Sequence, residues 1–119
     1  MIISIKKLGK SFKVAFSGLK IAIREENTIR AGIFISVVMF FLMFYFPLLP
    51  IERVMVVFCI FLVLSLELMN TQVERVTDLI DLNHNPKIRA IKDLAAAAVL
   101  MSIIGAAIVA CFIFLPYFN

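Results

Sequence analysis

The residues best suited to chemistry lie in one stretch, Glu67-Leu68-Met69-Asn70-Thr71-Gln72-Val73-Glu74-Arg75-Val76-Thr77-Asp78. It follows directly on an uncharged apolar run, Val54 to Leu66. At about 100° per residue, Glu67, Asn70, Glu74 and Asp78 fall on one face of a helix. Carboxylates beside hydrocarbon are costly unless they have a partner or a task, so the stripe marks a candidate site where a bilayer meets water. Read by depth, Glu67 comes first, and Glu74 lies about 10 Å further toward water at a rise of about 1.5 Å per residue. Glu25-Glu26 and Lys92-Asp93 stand at the starts of two other apolar segments. Three helices would therefore deliver polar groups to one level.

That set of groups suits phosphoryl transfer from a nucleotide. The reaction needs a divalent cation on the phosphates, a cation on the transferring group and a base for the attacking hydroxyl. Mg²⁺ favours one or two carboxylates plus phosphate oxygens, a role open to Glu26 and Glu74. Lys92 can neutralise phosphate charge, and Asn70 can orient a phosphate or a carboxylate. Glu67, nearest the lipid, can take the proton of a lipid alcohol, and a partly desolvated position suits a base. No Gly-rich phosphate loop of the P-loop type and no protein-kinase catalytic-loop signature occurs in the sequence, so the nucleotide site would be of another kind. The plainer alternative is a solvated acidic helix extension, in which Glu74 with Arg75 and Asp78 with Lys92 are surface pairs of little energetic consequence.

The elements that must position these groups are readable from composition and period. The chain has 119 residues, of which 63% are hydrophobic, with a mean hydropathy of +1.06. A soluble domain of this length would expose too much of that surface, so the expectation is one all-α integral membrane domain over residues 1–119. Residues 2–25 read as an amphipathic surface helix. Ile5, Leu8, Phe12, Phe16, Leu19 and Ile23 form one stripe, and Lys6, Lys10, Lys13, Ser17, Lys20 and Arg24 form another. Such a pattern suits a helix in the headgroup plane of an anionic membrane surface, although a cytosolic partner helix would use the same pattern. The first span is expected over 29–49, ended by Pro47 and Pro50. The second is expected over 51–81, its last turns in water. Asn83-His84-Asn85-Pro86 is a turn signal, and the third span is expected over 94–117. Ala95 to Ala98 and Gly105-Ala106-Ala107 supply small residues for close helix approach.

The net charge of +4 is unevenly spread. Lys6, Lys7, Lys10, Lys13, Lys20, Arg24 and Arg30 precede the core of the first span, and Arg75, Lys87, Arg89 and Lys92 lie around the second connection. The remaining loop has only Glu52 and Arg53. The positive-inside rule then predicts a cytoplasmic N-terminus and active site, with the C-terminus outside. These lysines flank membrane segments, so attraction to anionic lipid accounts for them and no nucleic-acid partner is expected. The N-terminus lacks a signal-peptide apolar region with a small-residue cleavage site. Cys59 and Cys111 sit inside apolar runs and read as small buried hydrophobes, with no disulfide framework or metal cluster implied.

Beyond this reading of the residues, Glu67-Leu-Met-Asn70-Thr71-x-x-Glu74-x-x-x-Asp78, then Lys92-Asp93-Leu-Ala-Ala-Ala-Ala-Val-Leu, resembles the prokaryotic diacylglycerol kinase family, which includes undecaprenol kinases of similar size. Ser11-Phe12-Lys13-x-Ala15-Phe16-x-Gly18-Leu19-Lys20 and Glu26-x-x-x-Arg30 also match, and the resemblance covers about residues 7–113. It implies a homotrimer in the bacterial cytoplasmic membrane, each protomer having a surface helix and three membrane helices, with active sites between protomers. It implies Glu67 as general base, Glu26 and Glu74 as Mg²⁺ ligands, and Lys92 as a phosphate-binding lysine. Asn70, Asp78 and Asp93 are implied as polar residues of the ATP site, with Lys7 near the nucleotide. One departure is in the second connection, where the family often carries Glu-Tyr-His-Pro-like residues and this chain has its His one position away, at His84. The expected activity is ATP-dependent phosphorylation of a membrane lipid alcohol, with diacylglycerol first and undecaprenol as the alternative. A small proton-coupled transporter is the rival from another class, with Glu67 as its binding carboxylate. It would want that acid near the midplane rather than after a full apolar run. A non-catalytic adaptor is the second rival, and it leaves Glu26, Asn70, Glu74 and Lys92 at one level unexplained.

Overall fold

Proline sets the corners of this chain. The residue before a proline is pushed out of the α region, and Phe46, before Pro47, is extended at φ −86° and ψ 146°. The helix therefore stops at Tyr45 rather than continuing to Leu49 as the apolar run alone suggested. The next helix opens on Pro50, where proline's fixed φ and missing N–H cost nothing. Three residues into it, Glu52 Oε1 reaches back to the Leu49 N–H at 2.8 Å, half of a capping box.

A computed structural model describes residues 2–80 and 85–118. The order is α1 (Ile5–Glu25), α2 (Asn27–Tyr45), α3 (Pro50–Ile80), α4 (Pro86–Phe114) and a terminal 3-10 turn, Leu115–Phe118. The architecture is all-helical. Among the described residues three segments are long and apolar enough to cross a membrane: Asn27–Tyr45, Pro50–Ile80 and Pro86–Phe118. The Asn83-His84 part of the expected turn, and the expected end of the second helix at Asp81, lie outside the described residues. Asn85 caps α4, its Oδ1 accepting from the Lys87 N–H at 2.8 Å, and Pro86 takes the first helical position. The 31 residues of α3 extend about 46 Å at about 1.5 Å each, longer than a hydrocarbon core of about 30 Å is thick.

The tightest packing is at the Pro47–Pro50 end. Met43, Leu48, Val56, Ile113 and Phe114 form the buried cluster there, with Phe46 against Phe114 and Tyr117. The two loop charges close that end. Glu52 also accepts from Tyr117 Oη at 2.9 Å, and Arg53 Nε donates to the Met43 carbonyl at 3.2 Å. Elsewhere α4 runs along α3, α2 touches α3 less extensively, and α1 meets α2 near their shared end. The segments are little enclosed: only 11% of the apolar window of α2 is buried, so most of its side chains are left for lipid or another protein surface. The expectation that both cysteines are buried fails for the same reason, because three helices cannot surround every apolar position. Cys59 is half-buried and Cys111 is exposed.

Gly32 on α2 packs closely against Leu64 of α3. A Cβ there would meet the Leu64 Cδ2 methyl at 3.1 Å. That methyl ends a flexible side chain, so Gly32→Ala should be nearly neutral. Gly32→Leu must instead force the helices apart, and overpacking of this kind costs about 1–3 kcal/mol. Thermal unfolding in detergent should show a clear loss for leucine and little change for alanine; equal midpoints would mean that α2 and α3 are not tightly apposed at this level.

Candidate functional site

The polar stripe of α3 forms as its period requires, and the site is built around it. Thr71 and Thr77, buried beside the stripe, satisfy their hydroxyls within the helix. Thr71 Oγ1 donates to the Leu68 carbonyl at 2.8 Å, and Thr77 Oγ1 to those of Val73 and Glu74 at 2.8 and 2.9 Å. The other polar members of the stripe are Glu67, Asn70, Glu74 and Asp78.

Glu67 is half-buried. It lines a cleft of about 440 Å³ between α2, α3 and α4, whose other walls are almost wholly apolar and include Ala31, Gly32, Ala106 and Ala110. Small side chains on facing helices leave the cleft open. One carboxylate in an otherwise greasy cleft is a costly arrangement without a task.

Next on the stripe, Asn70 Nδ2 donates to Glu74 Oε1 at 3.4 Å. The Asn70 Oδ1 is buried without a hydrogen-bond partner, an acceptor left over for something bound. Glu74 is exposed. At the far end of the stripe Asp78 Oδ1 accepts from Lys92 Nζ, which ties the last turns of α3 to the start of α4. Asp93 is exposed beside it.

Glu26 stands at the elbow between α1 and α2. It ends α1, its N–H bonding the Ala22 carbonyl at 2.9 Å, and its own carbonyl accepts from Arg30 at 3.2 Å. The Glu26-x-x-x-Arg30 spacing does not produce a side-chain pair. Arg30 Nη1 instead caps α1, donating to the Ile23 and Arg24 carbonyls at 3.1 and 2.7 Å. The partner of Glu26 is Arg75 on α3, which donates from Nε at 3.0 Å and from Nη2 at 2.8 Å. Arg75 Nη2 also lies 3.5 Å from Glu25. Arg75 therefore turns away from its neighbour Glu74, with which the sequence alone would pair it, because adjacent helical residues point about 100° apart. Its role escaped the sequence reading; the one available signal was an arginine at the same level as Glu25-Glu26.

Lys7 is not gathered with the rest. It lies 18 residues before Glu25, about 27 Å along α1 at a rise of about 1.5 Å per residue. Among the described residues no three of His, Cys, Asp or Glu are grouped to hold a metal. The donor set nonetheless fits Mg²⁺, which takes one or two carboxylates and completes its shell with phosphate oxygens and water. Both Arg75 bonds to Glu26 use Oε1 and Asn70 uses Oε1 of Glu74, so Oε2 of each carboxylate is uncommitted by these contacts.

An apolar cleft with one carboxylate in its wall, on a helix whose polar face continues to further oxygen donors and an aspartate paired with a lysine, suits a lipid-modifying phosphotransferase. A family model described as prokaryotic diacylglycerol kinase matches residues 13–114. The chain belongs to the prokaryotic diacylglycerol kinase family. It is similar to an undecaprenol kinase of Bacillus subtilis (strain 168), 32% identical over 112 residues, which are 94% of this chain and 91% of that protein. It is also similar to a diacylglycerol kinase of Haemophilus influenzae, 30% identical over 93 residues, which are 78% of this chain and 79% of that one. Membership in this lipid-kinase family and three long apolar helices make the chain a multi-pass membrane protein. The family match contains Glu26, Glu67, Asn70, Glu74, Asp78, Lys92 and Asp93, and begins after Lys7.

Proposed function

We propose that the chain transfers the γ-phosphoryl group of ATP to the hydroxyl of a membrane lipid alcohol. The observation that carries this reading is Glu67, a carboxylate at the polar stripe's membrane end that also lines the apolar cleft. A lipid tail in that cleft would bring its alcohol to Glu67. Glu67 takes the hydroxyl proton as the lipid oxygen forms a bond to the γ-phosphorus, and the bond from that phosphorus to the bridging oxygen of ADP breaks. Glu26 and Glu74 would hold Mg²⁺, which neutralises phosphate charge. Lys92 would leave Asp78 for the phosphates, while Asn70, Asp78, Asp93 and Lys7 are the other polar groups offered to ATP. Lys7, distant from Glu26 along α1, would serve the site of a neighbouring protomer, in keeping with a homotrimer whose sites are shared. In that arrangement α1 lies on the anionic cytoplasmic face of the bacterial membrane with the site, and the C-terminus lies outside.

Diacylglycerol is the first acceptor in this reading. Undecaprenol is the second, favoured by the longer match to the Bacillus protein. The test offers both lipids in parallel to purified protein in mixed micelles with Mg-ATP and reads phosphorylated lipid directly. Phosphate on either lipid supports the reaction and assigns the branch. No phosphate on either, from well-folded protein, would count against it, and proton-linked uptake in vesicles would support a transporter in its place.

The metal roles have their own expected outcome. Glu74→Gln should raise the Mg²⁺ concentration for half-maximal rate by about tenfold or more, since even outer-shell partners of a metal are worth about 10–100-fold in affinity. An unchanged metal dependence would remove Glu74 from the ligand set.

A further inference from the structure

Glu26 and Glu74 are 48 residues apart in sequence, and Glu26 occupies a chain elbow whose two helices touch little. Left alone, a carboxylate at such a joint would sample several rotamers and would rarely be where a cation needs it. We propose that Arg75 is the positioning residue for Glu26, holding its carboxylate by one oxygen and leaving the other for the metal ion of the nucleotide site. This rests on the lipid-kinase reading above, in which Glu26 is a ligand.

Three features carry the inference. First, both Arg75 donors converge on Oε1 of Glu26, Nε at 3.0 Å and Nη2 at 2.8 Å. A guanidinium that gripped both oxygens side-on would compete with a cation, whereas this grip leaves Oε2 available. Second, Arg75 follows Glu74 directly on α3. Tethering Glu26 to Arg75 therefore brings the elbow to the same turn of α3 that carries the second proposed ligand. Third, Nη2 also lies 3.5 Å from Glu25, so one guanidinium holds both acidic residues at the end of α1. Arg30, capping the carbonyls of Ile23 and Arg24, secures the other side of the elbow. The side chain of Glu26 is 23% exposed against 51% for Glu25, so Glu26 is the better sheltered of the two.

Lysine carries the same charge but not the two-donor fork. That separates positioning from simple charge. If Arg75 acted only as a nearby positive charge, removing it would tighten cation binding, and lysine would behave as wild type.

The experiment measures Mn²⁺, an EPR-visible substitute for Mg²⁺, binding to the detergent-solubilised full chain with β,γ-methylene ATP. It compares wild type, Arg75→Ala, Arg75→Lys and Glu26→Gln. Arg75→Ala is expected to bind Mn²⁺ about tenfold more weakly, the low end for loss of an outer-shell partner, with Arg75→Lys in between. Lipid phosphorylation by Arg75→Ala should recover most of its rate at saturating metal, which a collapsed fold would not allow. Should Arg75→Ala fail to elute with wild type on size exclusion, Arg75→Lys decides by the same measure. Wild-type or tighter Mn²⁺ binding by the Arg75 variants, with Glu26→Gln impaired, would overturn the positioning role and leave the lipid-kinase reading standing. Undiminished Mn²⁺ binding by Glu26→Gln would instead overturn the ligand role of Glu26, and the positioning role with it.

Discussion

Glu67→Gln should abolish lipid phosphorylation, lowering the rate by about 10²–10⁴-fold, the range attributed to a positioned general base. The substitution is close to isosteric. It keeps the half-buried side chain in the cleft wall and removes only the ability to accept a proton. Binding of an ATP analogue and oligomer size should therefore match wild type. Glu67→Asp is the informative companion. It retains the base but withdraws it by one methylene, and misplacement on this scale, about 1 Å, can cost about 10²-fold. It should thus fall between wild type and Glu67→Gln. A solvated acidic helix end predicts something quite different, namely that neither variant matters. Wild-type turnover by Glu67→Gln would exclude the base role and favour that plainer reading.

The parts of this molecule that were legible in the sequence are those set by local period. The placement of Glu67, Asn70, Glu74 and Asp78 on one helical face follows from 3.6 residues per turn. Three long apolar segments follow from composition and from the proline corners. Lys92 with Asp78 was readable too, because a short connection must bring the start of α4 beside the end of α3. The unread features depend on tertiary approach. Glu26 meets Arg75 across 49 residues, and nothing in the local pattern of either residue says so. The Glu26-x-x-x-Arg30 spacing forms no i,i+4 side-chain pair, because such pairs need an unbroken helix. The backbone at Glu26 is extended, φ −109° and ψ 112°, which turns its side chain to α3 and leaves Arg30 to the carbonyls of α1. Pro47 and Pro50 marked the end of α2 in the sequence, but its last residue, Tyr45, lies a turn earlier than the end of the apolar run. Hydropathy runs on through Phe46 and Leu48, and only the steric demand of Pro47 on Phe46 ends the helix. The cleft, finally, comes from the small side chains of two helices facing each other across α3, a property of neither helix alone.

Lys92→Met should cost about 10²–10³-fold in kcat/KM, in line with removing one group that stabilises charge on a transferring phosphoryl. Its resting partnership makes the prediction sharper. The side chains of Lys92 and Asp78 are 35% and 60% exposed, and exposed ion pairs contribute about 0–1 kcal/mol. Leaving Asp78 for an incoming phosphate is therefore cheap for Lys92. If the pair mattered only as a strut between α3 and α4, Lys92→Met and Asp78→Asn would be equivalent, each a small loss of stability with activity nearly intact. If Lys92 serves the phosphates, the two variants part company. Lys92→Met loses most turnover at unchanged thermal stability, while Asp78→Asn, which keeps the cation and removes one charge among the polar groups offered to ATP, loses less. Kinetics with Mg-ATP as the varied substrate, alongside melting curves for both variants, separates the cases. Equal, minor effects would return Lys92 and Asp78 to the surface and take Lys92 away from the transferring phosphoryl group.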